Sequence, residues 1–324
     1  MIPATVSSTE QPLALAAIDV GTNAARLKLA HWYADGRLVP FLKRRAPIRP
    51  GEGVFTGGEM APQVVARLVT TLREFMQISS SHGAHVRAVA TSSLRSARNS
   101  AQVQAFVEDQ AGIHLQVISG EEEARLICLG VLQGRPPAER SLVVDIGGGS
   151  TEIVLATGEQ PQQLWSLPMG TVRFTDRFGA GRCGKAERLA RMRKAAWEIV
   201  EQELCGLEAE VLPPYAYGSS GTIKVLAGYA GPRSSDRIDC GRLGESVQAL
   251  AAMKMRQRRE RFQSGRADII VAGAVILEAV AQRLALKTVV AVEAGLRDGL
   301  LVAMARDLAA DRSPLALMGL PDSA

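Results

Sequence analysis

The sequence predicts two α/β domains packed around a central cleft. Two observations carry that prediction. The phrase AAIDVGTNAARLKLA at 16–30 returns as VVDIGGGSTEIVLA at 143–156, and Asp19 falls on Asp145 at an offset of 126 residues. Around each copy strand-like segments alternate with helical ones, the pattern of α/β units. A length of 324 residues suits two such units better than one.

In the first half, Leu13–Ile18 and Ala24–Ala30 read as strands joined by the DVGTN turn, with a third strand at Leu38–Leu42 after ADGR. Residues 49–58, RPGEGVFTGG, are rich in glycine and read as a mobile loop. Helical spacing marks 63–79 and 96–111, with strands at Val86–Thr91 and Leu115–Ile118. Ser119 is an N-cap candidate that puts Glu121, Glu122 and Glu123 in a first helical turn, where the helix dipole favours carboxylates. GRPPAER then separates this helix from the second copy of the motif and is expected near a hinge.

Strands at Leu142–Ile146, Glu152–Ala156 and Gln163–Leu167 repeat the opening pattern. A long helix fits Lys185–Cys205, and a strand at Tyr215–Gly218 leads into GSSGT. Glu245–Phe262 reads as one basic amphipathic helix with a solvated outer face. An apolar helix at Ala267–Leu284, a strand at Thr288–Val292 and a helix at Leu296–Leu308 close the chain. The expected division is 1–122 for the first domain and 123–298 for the second, with 299–324 returning to the first.

Composition narrows the class without naming it. Apolar residues make up 47% of the chain and charged ones 22%, the balance of a globular protein with real cores. Net charge is +5, and only seven of the 38 basic residues are lysine. Arginine's planar fork suits phosphate, although an arginine-rich codon bias gives the same enrichment. The four cysteines form no CxxC pair, which is wrong for a zinc ribbon or a disulfide framework and fits a reducing compartment. The opening MIPATVSSTEQP lacks a basic start, and the apolar run ending at Asp19 is too short to span a bilayer. A cytoplasmic protein with no membrane or nucleic-acid partner is expected; a homodimer is left open.

The repeated phrase carries the chemistry. A glycine turn between two strands exposes successive backbone N–H groups that can cradle an anion. The candidates are Gly21, Thr22 and Asn23 in the first copy and Gly147, Gly148, Gly149 and Ser150 in the second. Asp19 and Asp145 precede these turns, where carboxylates can hold magnesium against phosphate, usually through water. One such turn is more often a plain hairpin; two in register argue for a site. GSSGT, comprising Gly218, Ser219, Ser220, Gly221 and Thr222, is a further strand-to-helix turn suited to an anion. From spacing alone, Glu123 is equally a helix N-terminal charge or a base that orients water. Arg95 is equally an anion contact or a surface residue. No GxxxxGK[ST] occurs, and the four histidines have no ligand spacing.

The chain resembles the exopolyphosphatase and guanosine pentaphosphate phosphohydrolase (Ppx/GppA) family. The signatures are AAIDVGTNAARL, AVATSSLRSARN, VISGEEEARLICLGV, LVVDIGGGSTEIVLA, SLPMGTVRFTDRF, YGSSGTIKVLAG, RADIIVAGAVIL and GLRDGLL, in order from Ala16 to Leu301. The resemblance implies two ribonuclease H-like domains of the actin, hexokinase and heat-shock ATPase superfold. It also implies metal-dependent removal of terminal phosphate from polyphosphate or guanosine pentaphosphate. Glu123 then falls on the catalytic base, and Asp145 and Glu152 on acids that position magnesium and water. Asp19 with the Gly21–Asn23 turn falls on the first phosphate loop, and Gly147–Thr151, including Thr151, on the second. Arg95 falls on a cleft arginine, and Gly218–Thr222 on a nucleoside-loop equivalent; Arg266 is a weaker anion candidate. The expected metal set is Asp145, Asp19 and Glu152 around Mg2+, with Mn2+ as a substitute.

Three departures qualify the resemblance. Thr22 and Ala24 stand where serine is common, so Ala24 removes a hydroxyl donor. Pro50 stands where leucine is common. The chain ends at Ala324 without the helical domain of long members, so shorter polyphosphates are the expected substrates. A small-molecule kinase of the same superfold and a non-catalytic sensor of guanosine tetra- or pentaphosphate are the competing functions.

Overall fold

The computed structural model describes residues 11–179, 186–208, 212–230, 236–262 and 265–311. The opening ten residues, Cys183 and Lys185 lie outside these.

The first lobe opens with an antiparallel meander, β1 (Leu13–Val20), β2 (Ala25–Trp32) and β3 (Leu38–Ala46). Then follow α1 (Val54–Gly57), α2 (Pro62–Ser81), β4 (His85–Ala90), α3 (Ser92–Ser96), α4 (Ser100–Ala111) and β5 (Leu115–Val117). Helix α5 (Gly120–Leu132) leads to the second meander, β6 (Arg140–Ile146), β7 (Thr151–Thr157) and β8 (Gln160–Leu167). After it come α6 (Thr171–Phe178), α7 (Ala186–Glu203), β9 (Tyr215–Ser219), α8 (Ser220–Ala230) and β10 (Arg237–Asp239). Helices α9 (Leu243–Ala252), α10 (Met255–Arg261) and α11 (Ile270–Arg283), strand β11 (Thr288–Ala291) and helix α12 (Leu296–Asp311) complete the chain.

The sheets have one plan. The first runs β3-β2-β1-β4-β5, and the second runs β8-β7-β6-β9-β11 with β10 added at the far edge. In each, the meander is antiparallel, and two parallel strands extend from its first strand, β4 then β5 in one sheet and β9 then β11 in the other; β10 joins β11 antiparallel. This strand order is the ribonuclease H-like one, and it occurs twice. Register repeats as well: Asp19 lies opposite Arg26, and Asp145 lies opposite Glu152.

Two helices cross between the sheets. Helix α5 leaves the first sheet but buries Ala124, Ile127, Cys128 and Val131 against Val143, Val154 and Ala156 of the second. Helix α12 leaves the second sheet and buries Leu300, Leu301 and Met304 against Leu15 and Ala17 of the first. They touch backbone to backbone. A Cβ on Gly130 would fall 2.4 Å from the Gly295 carbonyl oxygen, and one on Gly299 would fall 1.7 Å from that of Leu126. Only glycine permits that approach.

Several expectations need correction. Residues 49–58 contain α1, and the loop before it packs on the first glycine turn, where Gly51 N–H donates to the Thr22 carbonyl at 2.8 Å. The predicted helix 245–262 is two helices, because Lys254 adopts an extended backbone and its N–H donates to Gln257 Oε1 at 2.8 Å. That break turns Arg258 inward, where it is only 1% exposed, so this segment is not a solvated face throughout. Helices α3 and α6 and strand β10 are too short for periodicity to reveal.

Candidate active site

Both glycine turns are held from behind. The carbonyls of Gly147 and Gly148 accept from Thr171 and Val172 N–H at 3.0 and 2.8 Å, and that of Gly149 accepts from Arg173 Nε at 2.7 Å. Gly170 makes room for α6 there, since a Cβ would meet the Gly148 carbonyl at 2.5 Å. In a trans peptide the next N–H points opposite its carbonyl, so the N–H groups of Gly148, Gly149 and Ser150 face away from α6. The first turn is gripped in the same way: Thr22 O accepts from Gly51 and Asn23 O from Arg49. The turns nearly touch, because a Cβ on Gly148 would lie 2.7 Å from Thr22 Cβ.

Between the turns lies a cleft of about 400 Å3, a size suited to a small polyanion. Of the predicted residues, Asp19, Gly21, Thr22, Asn23, Glu123, Asp145, Gly147, Gly148, Gly149, Ser150, Ser219, Ser220, Gly221, Thr222 and Arg266 line it. Ser220 is held in the left-handed region at φ 89°, and its hydroxyl accepts from Thr222 and Ile223 N–H, capping α8. Arg266 reaches across to the Gly221 carbonyl.

Four predicted residues stand elsewhere. Gly218 lies inside β9, where a Cβ would strike Ile223 and Val289 at 2.6 Å; it is a packing glycine. Thr151 is wholly buried, and its hydroxyl donates to the Met169 carbonyl at 2.7 Å. Arg95 does not reach into the cleft; its Nη1 binds Glu123 Oε2 at 3.1 Å and the Ile118 carbonyl at 2.9 Å. Glu152 sits behind Asp145, accepting from the Ser166 hydroxyl at 2.9 Å, and its Oε2 is buried without a hydrogen-bond partner among the described residues.

The three acids of α5 separate sharply. Glu121 is exposed and Glu122 pairs with Arg125 at 2.7 Å on the surface. Glu123 is 7% exposed and faces the cleft. Burial, then repulsion from Glu152, raises its carboxyl well above the ordinary value, with Arg95 pulling the other way. Burial also lifts Asp145 to about 6, opposed by the Ser219 hydroxyl. Burial and the facing Asp145 lift Glu152 to about 7. These acids share a poorly solvated volume, where negative charge is costly without a cation.

Against the acids stands a wall of cations that the sequence reading did not single out. Arg26 holds Asp19 Oδ2 at 3.2 Å, and Lys43, Arg44 and Arg45 of β3, Lys224 and Arg297 line the cleft beside it. The sequence signals were the KRR run in the strand next to the motif and the basic residues Arg26, Lys224 and Arg297 inside the quoted signatures, none of which was picked out as a site residue. Burial holds Arg45, Arg266 and Arg297 below the ordinary arginine range, and repulsion from Arg26 adds to it in each. Such a wall favours a ligand with several negative charges.

Two ribonuclease H-like lobes with paired glycine turns across a cleft define the actin, hexokinase and heat-shock ATPase class. The model of the Ppx/GppA phosphatase family matches residues 33–308, and the chain belongs to that family. Exopolyphosphatase 1 of Mycobacterium leprae is 32% identical over 89% of this chain and 88% of its own length. A crystal structure of an exopolyphosphatase-like protein superposes with a TM-score of 0.83 at 27% identity, covering 93% of this chain and 100% of the other. The Aquifex aeolicus Ppx/GppA family member gives 0.73 at 26% identity, covering 93% and 99%.

Proposed function

We propose that this protein hydrolyses terminal phosphoanhydride bonds with magnesium, releasing orthophosphate from inorganic polyphosphate, shorter chains included, or from guanosine pentaphosphate. The observation that carries the reading is the buried carboxylate of Glu123 facing two glycine turns across one cleft. Glu123 acts as general base on water, and the turns' N–H groups with the cationic wall bind the phosphates. The relatives' names support the polyphosphate arm of this reading.

The donor set fits a hard cation. Asp19 and Asp145, at the strand ends before the two turns, would offer carboxylate oxygens to it, and the unpartnered Oε2 of Glu152 lies behind Asp145. Among the described residues no three acids, histidines or cysteines form a ready-made cage, so Asp145, Asp19 and Glu152 would act with phosphate and water completing the shell. When bound, magnesium would offset the negative charge of the acids and the phosphates. Ser219, opposite Asp145 on the neighbouring strand, donates its hydroxyl to the Ala294 carbonyl at 3.0 Å, which fixes its oxygen beside that carboxylate.

The deciding experiment is phosphate release from long polyphosphate, tripolyphosphate and guanosine pentaphosphate at matched concentration. A phosphorylated acceptor instead of free phosphate would identify a kinase, and tight binding without release would identify a sensor. EDTA is expected to abolish release and added Mg2+ or Mn2+ to restore it. Asp145→Asn is expected to lose most activity with its circular dichroism unchanged. A rate indifferent to EDTA would sink the metal assignment.

Arg95→Ala tests the corrected placement of that side chain. A charged hydrogen bond contributes about 1.5–3 kcal/mol, so losing the one to Glu123 is expected to lower kcat on the order of tenfold or more, with KM little changed. A rise in KM with kcat intact would return Arg95 to the phosphate chain.

A further inference from the structure

Arg173, outside the cleft lining, bonds to both lobes. It belongs to α6 of the second lobe and grips the second glycine turn through Gly149 O at 2.7 Å. The other end of the same guanidinium donates to Ser96 Oγ at 3.1 Å and lies 3.5 Å from Ser92 Oγ, both on α3 of the first lobe. Its plane sits over the Phe55 ring of α1, 4.2 Å from the centroid. Gly149 is wedged into this contact, since a Cβ there would meet Ser92 Oγ at 2.4 Å and Phe55 Cζ at 2.6 Å.

No acid among the described residues pairs with its charge. Among the described residues its partners are a carbonyl, two hydroxyls and an aromatic face, and burial with repulsion from Arg95 lowers its proton affinity. A guanidinium so placed binds through geometry, which lysine cannot reproduce. Helix α3 also carries Arg95, whose fork holds Glu123. One side chain therefore joins the turn that faces the phosphate to the helix that orients the carboxylate.

We propose that Arg173 is a positioning residue that clamps the lobes so that the Gly147–Gly149 turn and Glu123 face the same phosphate, and that it sets turnover rather than affinity. The inference rests on the phosphoanhydride hydrolase reading for its kinetic part. Its structural part, a clamp between lobes, stands apart from any substrate.

The test uses the full chain with inorganic tripolyphosphate and magnesium. Misplacing a reacting group by an ångström costs about a hundredfold, so Arg173→Met is expected to lower kcat about 10- to 100-fold with KM changed less than about threefold. Arg173→Lys should recover only part of the loss. The paired change Phe55→Ala with Ser96→Ala, on the opposite lobe, should lower kcat similarly, and adding Arg173→Met to it should cost little more, because the three act as one contact. X-ray scattering of the ligand-free proteins should show a larger radius of gyration for Arg173→Met and for the paired variant. Additive effects, a KM change with kcat intact, or unchanged scattering would overturn the clamp. If the parent protein releases phosphate from no substrate, the functional reading fails, and scattering alone still decides the clamp. Should Arg173→Met not fold, the paired variant, which leaves the second lobe untouched, carries both measurements.

Discussion

Glu123→Gln is expected to lower kcat for tripolyphosphate by roughly two to four decades, the usual contribution of general acid–base catalysis. Water attacks a phosphate poorly at neutral pH because the oxygens repel it, so it must be oriented and its proton accepted. Glu123 is the acid of α5 that combines burial with a view of the cleft, whereas Glu121 and Glu122 face solvent. Glutamine keeps the shape and the contact with Arg95 but cannot take the proton, so KM should hardly move. A base must be ionised, and burial raises the Glu123 carboxyl. The acid limb of the pH–rate profile should therefore lie above the ordinary carboxylate range, and activity should fall as pH drops through it. Near-normal turnover in Glu123→Gln, with loss in Glu121→Gln or Glu122→Gln, would move the base to a neighbour.

Gly299→Ala is expected to produce the largest loss of stability from a single methyl group. The added Cβ would lie 1.7 Å from the Leu126 carbonyl oxygen and 3.1 Å from Gly130 N. Both are backbone atoms and cannot swing aside as a flexible side chain can. Overpacking costs typically 1–3 kcal/mol, and a forced separation of α5 and α12 belongs at the upper end. At about 1.5 °C per kcal/mol for a chain of 324 residues, the unfolding midpoint should drop by about 4–5 °C. Gly228→Ala in α8 is the control, since a Cβ there meets nothing within 4 Å and alanine is the better helix former. Equal midpoints for the two variants would mean that α5 and α12 do not meet as described.

The parts legible in the sequence were those whose chemistry is local. Asp19 and Asp145 stand beside their own turns, and the 126-residue offset showed two copies before any coordinate did. Glu123 was harder: three consecutive acids differ by 100° steps around a helix, and only the position of the second sheet decides which one is buried. Arg95 follows a strand that points at the cleft, yet Glu123, 28 residues on, captures it. Gly218 looks like its neighbours in GSSGT, but strands on both sides of β9 claim it for packing. The cations of the wall come from separate segments whose meeting depends on how the sheets close. No window of sequence contains that information.

The paired register has a consequence for how the two copies divide their labour. The position opposite the leading aspartate holds arginine in the first lobe and glutamate in the second. Asp19 is therefore paired with Arg26, while Asp145 is backed by a second carboxyl whose proton affinity burial and Asp145 raise. Duplication supplied two equivalent sockets, and one exchange of sign made them unequal. On the proposed reading, a cation in the cleft is expected to settle beside Asp145 and a chain of phosphates to lie toward Arg26.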